Sequence, residues 1–182
     1  PDGRTLAVVR STRSPQRAVR PVLSLLDTAS GAIRAVATGF DAWPHIGDWS
    51  ADGKRLYVTA DLAGHVPVFA VDIGADAVER ITVQRSGGAH SDLHVLADGR
   101  IAGVRTTFLE PPEAFVVQPK ADSPPQTLAR LSGFAVPDWA TVEHHAVKST
   151  DGADVQYFVI RPTAEGRHPV LLWIHGGPIG MT

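Results

Sequence analysis

The chain has 182 residues, 17 Lys+Arg against 19 Asp+Glu, eight His, no Cys and 43% hydrophobic residues, the composition of an ordinary globular protein. A net charge of -2 leaves no basic footprint for nucleic acid and no polybasic stretch for anionic lipid, so neither a nucleic acid nor a membrane is expected as a partner. Zero Cys excludes disulfides, thiolate metal sites and a Cys nucleophile, and no cofactor or metal is called for.

The chain opens Pro1-Asp2-Gly3, with no initiator Met, charged n-region or apolar h-region. No signal peptide is read there, and a cytoplasmic location is the expectation. An internal repeat then organises residues 1–135. Asp2-Gly3-Arg4-Thr5-Leu6, Asp52-Gly53-Lys54-Arg55-Leu56 and Asp98-Gly99-Arg100-Ile101 each place an Asp-Gly turn and a basic residue ahead of an alternating strand. The turns are 50 and 46 residues apart, the length of a propeller blade. Asp caps such a turn, Gly supplies the positive φ, and the strand leaves with one apolar face, here Leu56, Val58 and Ala60. Further strand-like runs follow at 21–26, 66–71 and 114–117, with short strands at 32–37 and 79–83. Three to four short strands per repeat make a blade. A sandwich of ordinary hairpins is the other reading of this pattern.

Trp49-Ser50-Ala51-Asp52-Gly53-Lys54 resembles the Trp-Ser-Pro-Asp-Gly-Lys repeat of propellers of the TolB and prolyl oligopeptidase kind, with Ala51 in place of the Pro. Trp43, Trp49 and Trp139 are read as packing residues at blade junctions. His90-Ser91-Asp92-Leu93-His94 has the His spacing of a helical zinc pair, but it lacks the Glu of the metalloprotease motif and a third ligand, and is read as a solvated blade loop. The acidic Glu110-Pro111-Pro112-Glu113 is read as a solvated turn, with recognition of a substrate amine as the alternative.

Composition changes at about Gly133, and residues 136–182 follow a different pattern. Residues 145–149 read as a strand, Thr150-Asp151-Gly152-Ala153 as a hairpin turn, and 155–161 as the partner strand, closed by Pro162. The adjacent His144 and His145 point to opposite faces and cannot easily share one ion. The run Val170-Leu171-Leu172-Trp173-Ile174 is apolar at every position, as in a strand covered on both faces, with Trp173 in the core. It is far shorter than the roughly 18 residues of a membrane span.

His175-Gly176-Gly177-Pro178 follows directly. Two glycines at the carboxyl end of a buried strand let backbone N–H groups point into a cavity without an intervening Cβ. In α/β-hydrolases a loop in this place supplies a donor of the oxyanion hole. The stretch from Val142-Glu143 through Asp151-Gly152, Tyr157 and Pro162 to His-Gly-Gly-Pro178 is similar to the entry into the catalytic domain of the prolyl oligopeptidase family of serine peptidases, and most similar to its acylaminoacyl and dipeptidyl peptidase branch. The resemblance implies a fold that is mainly β: about three blades of a partial β-propeller over 1–135, then the first strands of an α/β-hydrolase domain over 136–182. It implies that the backbone N–H of Gly177, joined by that of Gly176, is an oxyanion donor and that His175 is a structural loop residue. Ile179 departs from the His often found after this Pro.

No Gly-x-Ser-x-Gly occurs; Gln84-Arg85-Ser86-Gly87-Gly88 lacks the first Gly. Family order then places Ser, Asp and His downstream of the glycine loop, past Thr182. The expectation is a piece of a longer serine peptidase that acts on short peptides, inert alone, partnered by the rest of its own polypeptide or by further copies in a homo-oligomer. Carboxylic esters are the alternative substrate class, although Pro178 stands where lipase-type esterases carry a third Gly. A propeller that only binds a partner is the non-enzymatic reading.

Overall fold

The computed structural model describes residues 2–12, 14, 19–82 and 88–174, and among these it contains 13 strands and no helix. The strands form four antiparallel sheets in chain order. The first holds β1 (Thr5–Arg10), β2 (Val22–Asp27) and β3 (Ile33–Ala35). The second runs β4 (Pro44–Trp49), β5 (Arg55–Ala60), β6 (Val68–Asp72) and β7 (Ala77–Arg80), and the third β8 (Ala89–Val95), β9 (Ile101–Thr106), β10 (Glu113–Val117) and β11 (Gln126–Ala129). The fourth is a hairpin of β12 (Ala140–Lys148) and β13 (Asp154–Pro162). Two successive four-stranded meanders stacked face to face are propeller blades.

Turn chemistry sets the strand boundaries. In the second blade Gly53, at φ 68°, donates its N–H to Ser50 O, while the Asp52 carboxylate accepts from Lys54 N and Ser50 Oγ. The arrangement recurs at Asp98-Gly99, where Arg100 N and Nε both donate to Asp98, and at Asp151-Gly152 in the hairpin. These bonds hold the Asp52, Asp98 and Asp151 carboxyls below their ordinary range. Each turn joins the first strand of its blade to the second, so the repeat unit legible in the sequence begins one strand inside the blade.

The blades stack through two apolar layers. Leu56, Val58, Ala60, Phe69 and Val71 face Leu23, Leu25 and Val36 of the first sheet. Tyr57, Val68 and Ala70, which point the other way, meet Leu93, Ile101, Phe115 and Val117 of the third. The expected apolar face of β5 is therefore present, and the opposite face is covered as well, because a middle blade has a neighbour on each side. Polar ties cross the same seams. Asp76 accepts from Ala37 N and Thr38 Oγ1 and Asp48 accepts from Val95 N, while within the second blade Thr82 Oγ1 accepts from Val68 N inside the core. Along the inner strands the backbones approach closely: a Cβ on Gly47 would sit 2.7 Å from Leu93 Cβ.

Several expectations are corrected. Residues 170–174 form no strand, and their side chains are largely exposed, Trp173 at 82%. A run apolar at every position needs cover on both faces, and no described residue supplies it. The strand expected at 79–83 is β7, which starts and ends earlier; the one expected at 145–149 is β12, which begins five positions sooner, at Ala140. Of the tryptophans, Trp49 packs on the first apolar layer as expected, but Trp139 is 62% exposed.

Candidate functional site

Gly176 and Gly177, the expected oxyanion donors, lie outside the described residues, as do His175, Pro178 and the Ser86 of the near-match 84–88. What the structure does describe is a cleft between the blades and the β12–β13 hairpin. It is a cavity of about 940 Å³, lined on the blade side by His65, Arg80, Arg105 and Glu110 and on the hairpin side by Val142, His144 and Phe158.

An aromatic knot anchors the hairpin to the blades. Phe158 lies opposite His144 in the β12–β13 register and stacks on it at 4.9 Å, and the His65 and Phe108 rings of two different blades approach the same phenyl at 5.4 and 4.7 Å. Gly64 makes room for the ring: at φ 77° it turns the loop between β5 and β6, and a Cβ there would sit 2.6 Å from Phe158. On the other face of β12, His145 stacks on Tyr157 and contacts Glu143, which Arg161 also reaches. The two histidines do point apart, as the strand pattern requires.

The cleft carries more positive than negative charge. Glu110 is held by Arg105 at 3.2 Å and by Arg130 at 3.9 Å. Arg80 donates Nε to Thr82 O and forms no ion pair among the described residues. Burial first, then the neighbouring His144 and Arg80, push the His65 imidazole below its ordinary value.

His90 is not in a solvated loop. It is buried in β8, opposite Arg105 in the register, with the Phe115 ring at 4.9 Å. Its Nδ1 is 2.8 Å from Val66 O, and because a carbonyl only accepts, Nδ1 carries the proton. Nε2 is then a buried acceptor with no partner among the described residues. Burial drives this imidazole down to about 4. No group of three or more His, Asp or Glu able to hold a metal occurs among the described residues. Nor do the acidic residues form an open receptor for an amine: Glu113 is buried, accepts from Leu131 N and Ser132 Oγ, and ties the end of β11 to β10. Sequence reasoning passed over Arg80, which sits at the end of a short edge strand as any solvated Arg would, and whose position becomes legible only once β7 and the hairpin are brought together.

No protein-family profile matches the chain. It is similar to the dipeptidyl-peptidase 5 of Trichophyton equinum, 22% identical over 99% of this chain and 26% of that protein, and at 21% to that of Arthroderma benhamiae with the same coverage. The chain thus spans about a quarter of the length of these relatives. Its fold resembles the TolB of Acinetobacter baumannii, at TM-score 0.53 and 19% identity over 90% of this chain and 39% of that one. It also resembles a structure from a study of two prolyl endopeptidases, at TM-score 0.52 and 16% identity over 78% of this chain and 21% of that one. Propeller blades and a relationship to peptidases, both expected from the sequence, are met in these neighbours.

Proposed function

We propose that this chain is the blade-and-entry portion of a serine peptidase that hydrolyses short peptides, with blades over 1–135 and the start of an α/β-hydrolase domain over 136–182. The observation that carries the reading is the docking of the β12–β13 hairpin on the blades through Phe158, in a chain similar to dipeptidyl-peptidase 5 across blades and hairpin alike. In this reading the cleft between the hairpin and the blades is where a peptide would be held.

In this reading the backbone N–H groups of Gly177 and Gly176 stabilise the oxyanion that forms when a Ser past Thr182 attacks the scissile carbonyl. A His base takes the Ser proton and returns it to the leaving amine, and water then releases the acyl group. The blades restrict the approach to short peptides. Gly177→Pro removes one N–H donor and is expected to lower kcat by about 100- to 1000-fold, while Gly177→Ala keeps the donor and retains most of the rate. Equal activity in the two variants, assayed in the whole protein on acyl-peptide and dipeptidyl amide substrates, would remove Gly177 from the mechanism.

The likeness to TolB favours one second reading, a propeller that binds a partner without catalysis. It requires that no Gly-x-Ser-x-Gly follow in the parent reading frame.

A further inference from the structure

Arg80 is the one cleft-lining cation for which no carboxylate partner is found among the described residues, and its placement points to a ligand. The end of β7 brings it to the cavity wall, half-buried, and the Nε–H bond to Thr82 O at 3.0 Å fixes the guanidinium plane. The two terminal nitrogens are left as a planar pair of donors, the geometry that takes a carboxylate through two parallel hydrogen bonds.

The surroundings do not neutralise it. Arg105, the other Arg of the wall, is matched by Glu110, and Arg130 adds a further cation to that same carboxylate. His65 and His144 line the same cavity as polar rings, and Phe158, Phe108 and Val142 give it apolar walls, beside which a charge–charge contact is screened less than in open water. A cavity of about 940 Å³ has room for a few residues of an extended peptide.

We infer that the Arg80 wall of this cleft binds a peptide carboxylate, so that the protein selects short peptides carrying a free carboxyl group near the segment held between blades and hairpin. This rests on the peptidase reading for the identity of the ligand as a peptide. The carboxylate has two sources, the peptide's C-terminus or an acidic side chain, and both present the same two oxygens.

The test uses the whole protein expressed from its parent reading frame. Acetyl-trialanine as the free acid is compared with its C-terminal amide, and the amide of acetyl-Ala-Glu-Ala with that of acetyl-Ala-Gln-Ala. Affinity is read by calorimetry, or kcat/KM where a peptide is turned over. The expected result is a preference of about tenfold or more for the charged member of one pair; the first pair assigns the terminal carboxylate, the second the side chain. Arg80→Met should abolish that preference, and Arg80→Lys should restore part of it, with thermal melts confirming that both variants fold. Equal values within both pairs, no binding of any of the four peptides, or a preference that survives Arg80→Met would overturn the inference. Fluorophosphonate labelling separates the two readings. A protein that discriminates acid from amide yet does not label loses the serine peptidase reading and keeps the carboxylate site. One that labels and cleaves acid and amide alike keeps the peptidase and loses the site.

Discussion

At the scale of single residues, burial decides what each histidine does. Two His four apart suggest a metal pair on paper, but the bulge between Ser91 and His94 in β8 breaks the alternation, so that His90 is a buried, neutral core residue while His94 is exposed. Because its folded-state pKa of about 4 lies below the ordinary 6.5, the neutral form is favoured by folding. That contribution is complete above pH 6.5 and is lost as pH falls toward 4, amounting to about 3 kcal/mol. His65 shifts in the same direction and adds to the loss. The lowered carboxyls of Asp27, Asp76 and Glu113 act only below their ordinary values of 3.8 and 4.5. Denaturant midpoints at pH 7 and pH 4.5 should therefore differ markedly in the wild type and much less in His90→Leu, in which the His90 backbone N–H still serves Val66 O. An unchanged pH dependence in the variant would place the acid sensitivity elsewhere. Phe115, 2% exposed between two blades, is expected to cost about 3–5 kcal/mol on truncation to Ala, read as a fall in the same midpoint.

At the scale of elements, the strands that could be read from the sequence are those whose local signals agree with their tertiary place. The Asp-Gly turns, the alternating run of β5 and the hairpin around Asp151-Gly152 carry their own turn chemistry, so their existence was legible. What local pattern could not give was the offset between repeat and blade, since the same turn sits between any two strands, or the cover on both faces of β5, which depends on two neighbouring sheets. The apolar run at 170–174 shows the reverse case. Its composition reads as a buried strand, but a strand needs partners, and none of the described residues pairs with it. Arg80 was illegible for a similar reason: its meaning lies in an unmatched position across a cleft, not in its neighbours along the chain. The hairpin's attachment is testable at one position. Gly64→Ala forces a Cβ against the Phe158 ring in a left-handed backbone, costing about 1 kcal/mol for the backbone alone. Hydrogen exchange of β12 and β13 should accelerate while the β5 and β6 amides keep their protection; uniform acceleration would instead mean that the hairpin and blades open as one unit.

At the scale of the whole molecule, stacked blades end in a hairpin whose outward side chains, among them Val147, Val155 and Ile160, remain exposed together with 170–174. Blades protect their edges by closing a ring, and an α/β sheet covers such a run with helices on both faces. Expressed alone, the 182-residue chain is accordingly expected to associate or precipitate, whereas the product of the full reading frame should elute at a single defined size. A monodisperse, cooperatively melting monomer of the short chain would contradict that expectation. The central claim, that blades and glycine loop serve a serine nucleophile located past Thr182, is tested most directly by treating the full protein with a fluorophosphonate probe and mapping the labelled peptide. The account predicts one labelled Ser within a Gly-x-Ser-x-Gly segment downstream of Thr182 and no labelling of the 182-residue chain. Absence of label in the full protein, or label on a Ser within residues 1–182, would contradict it.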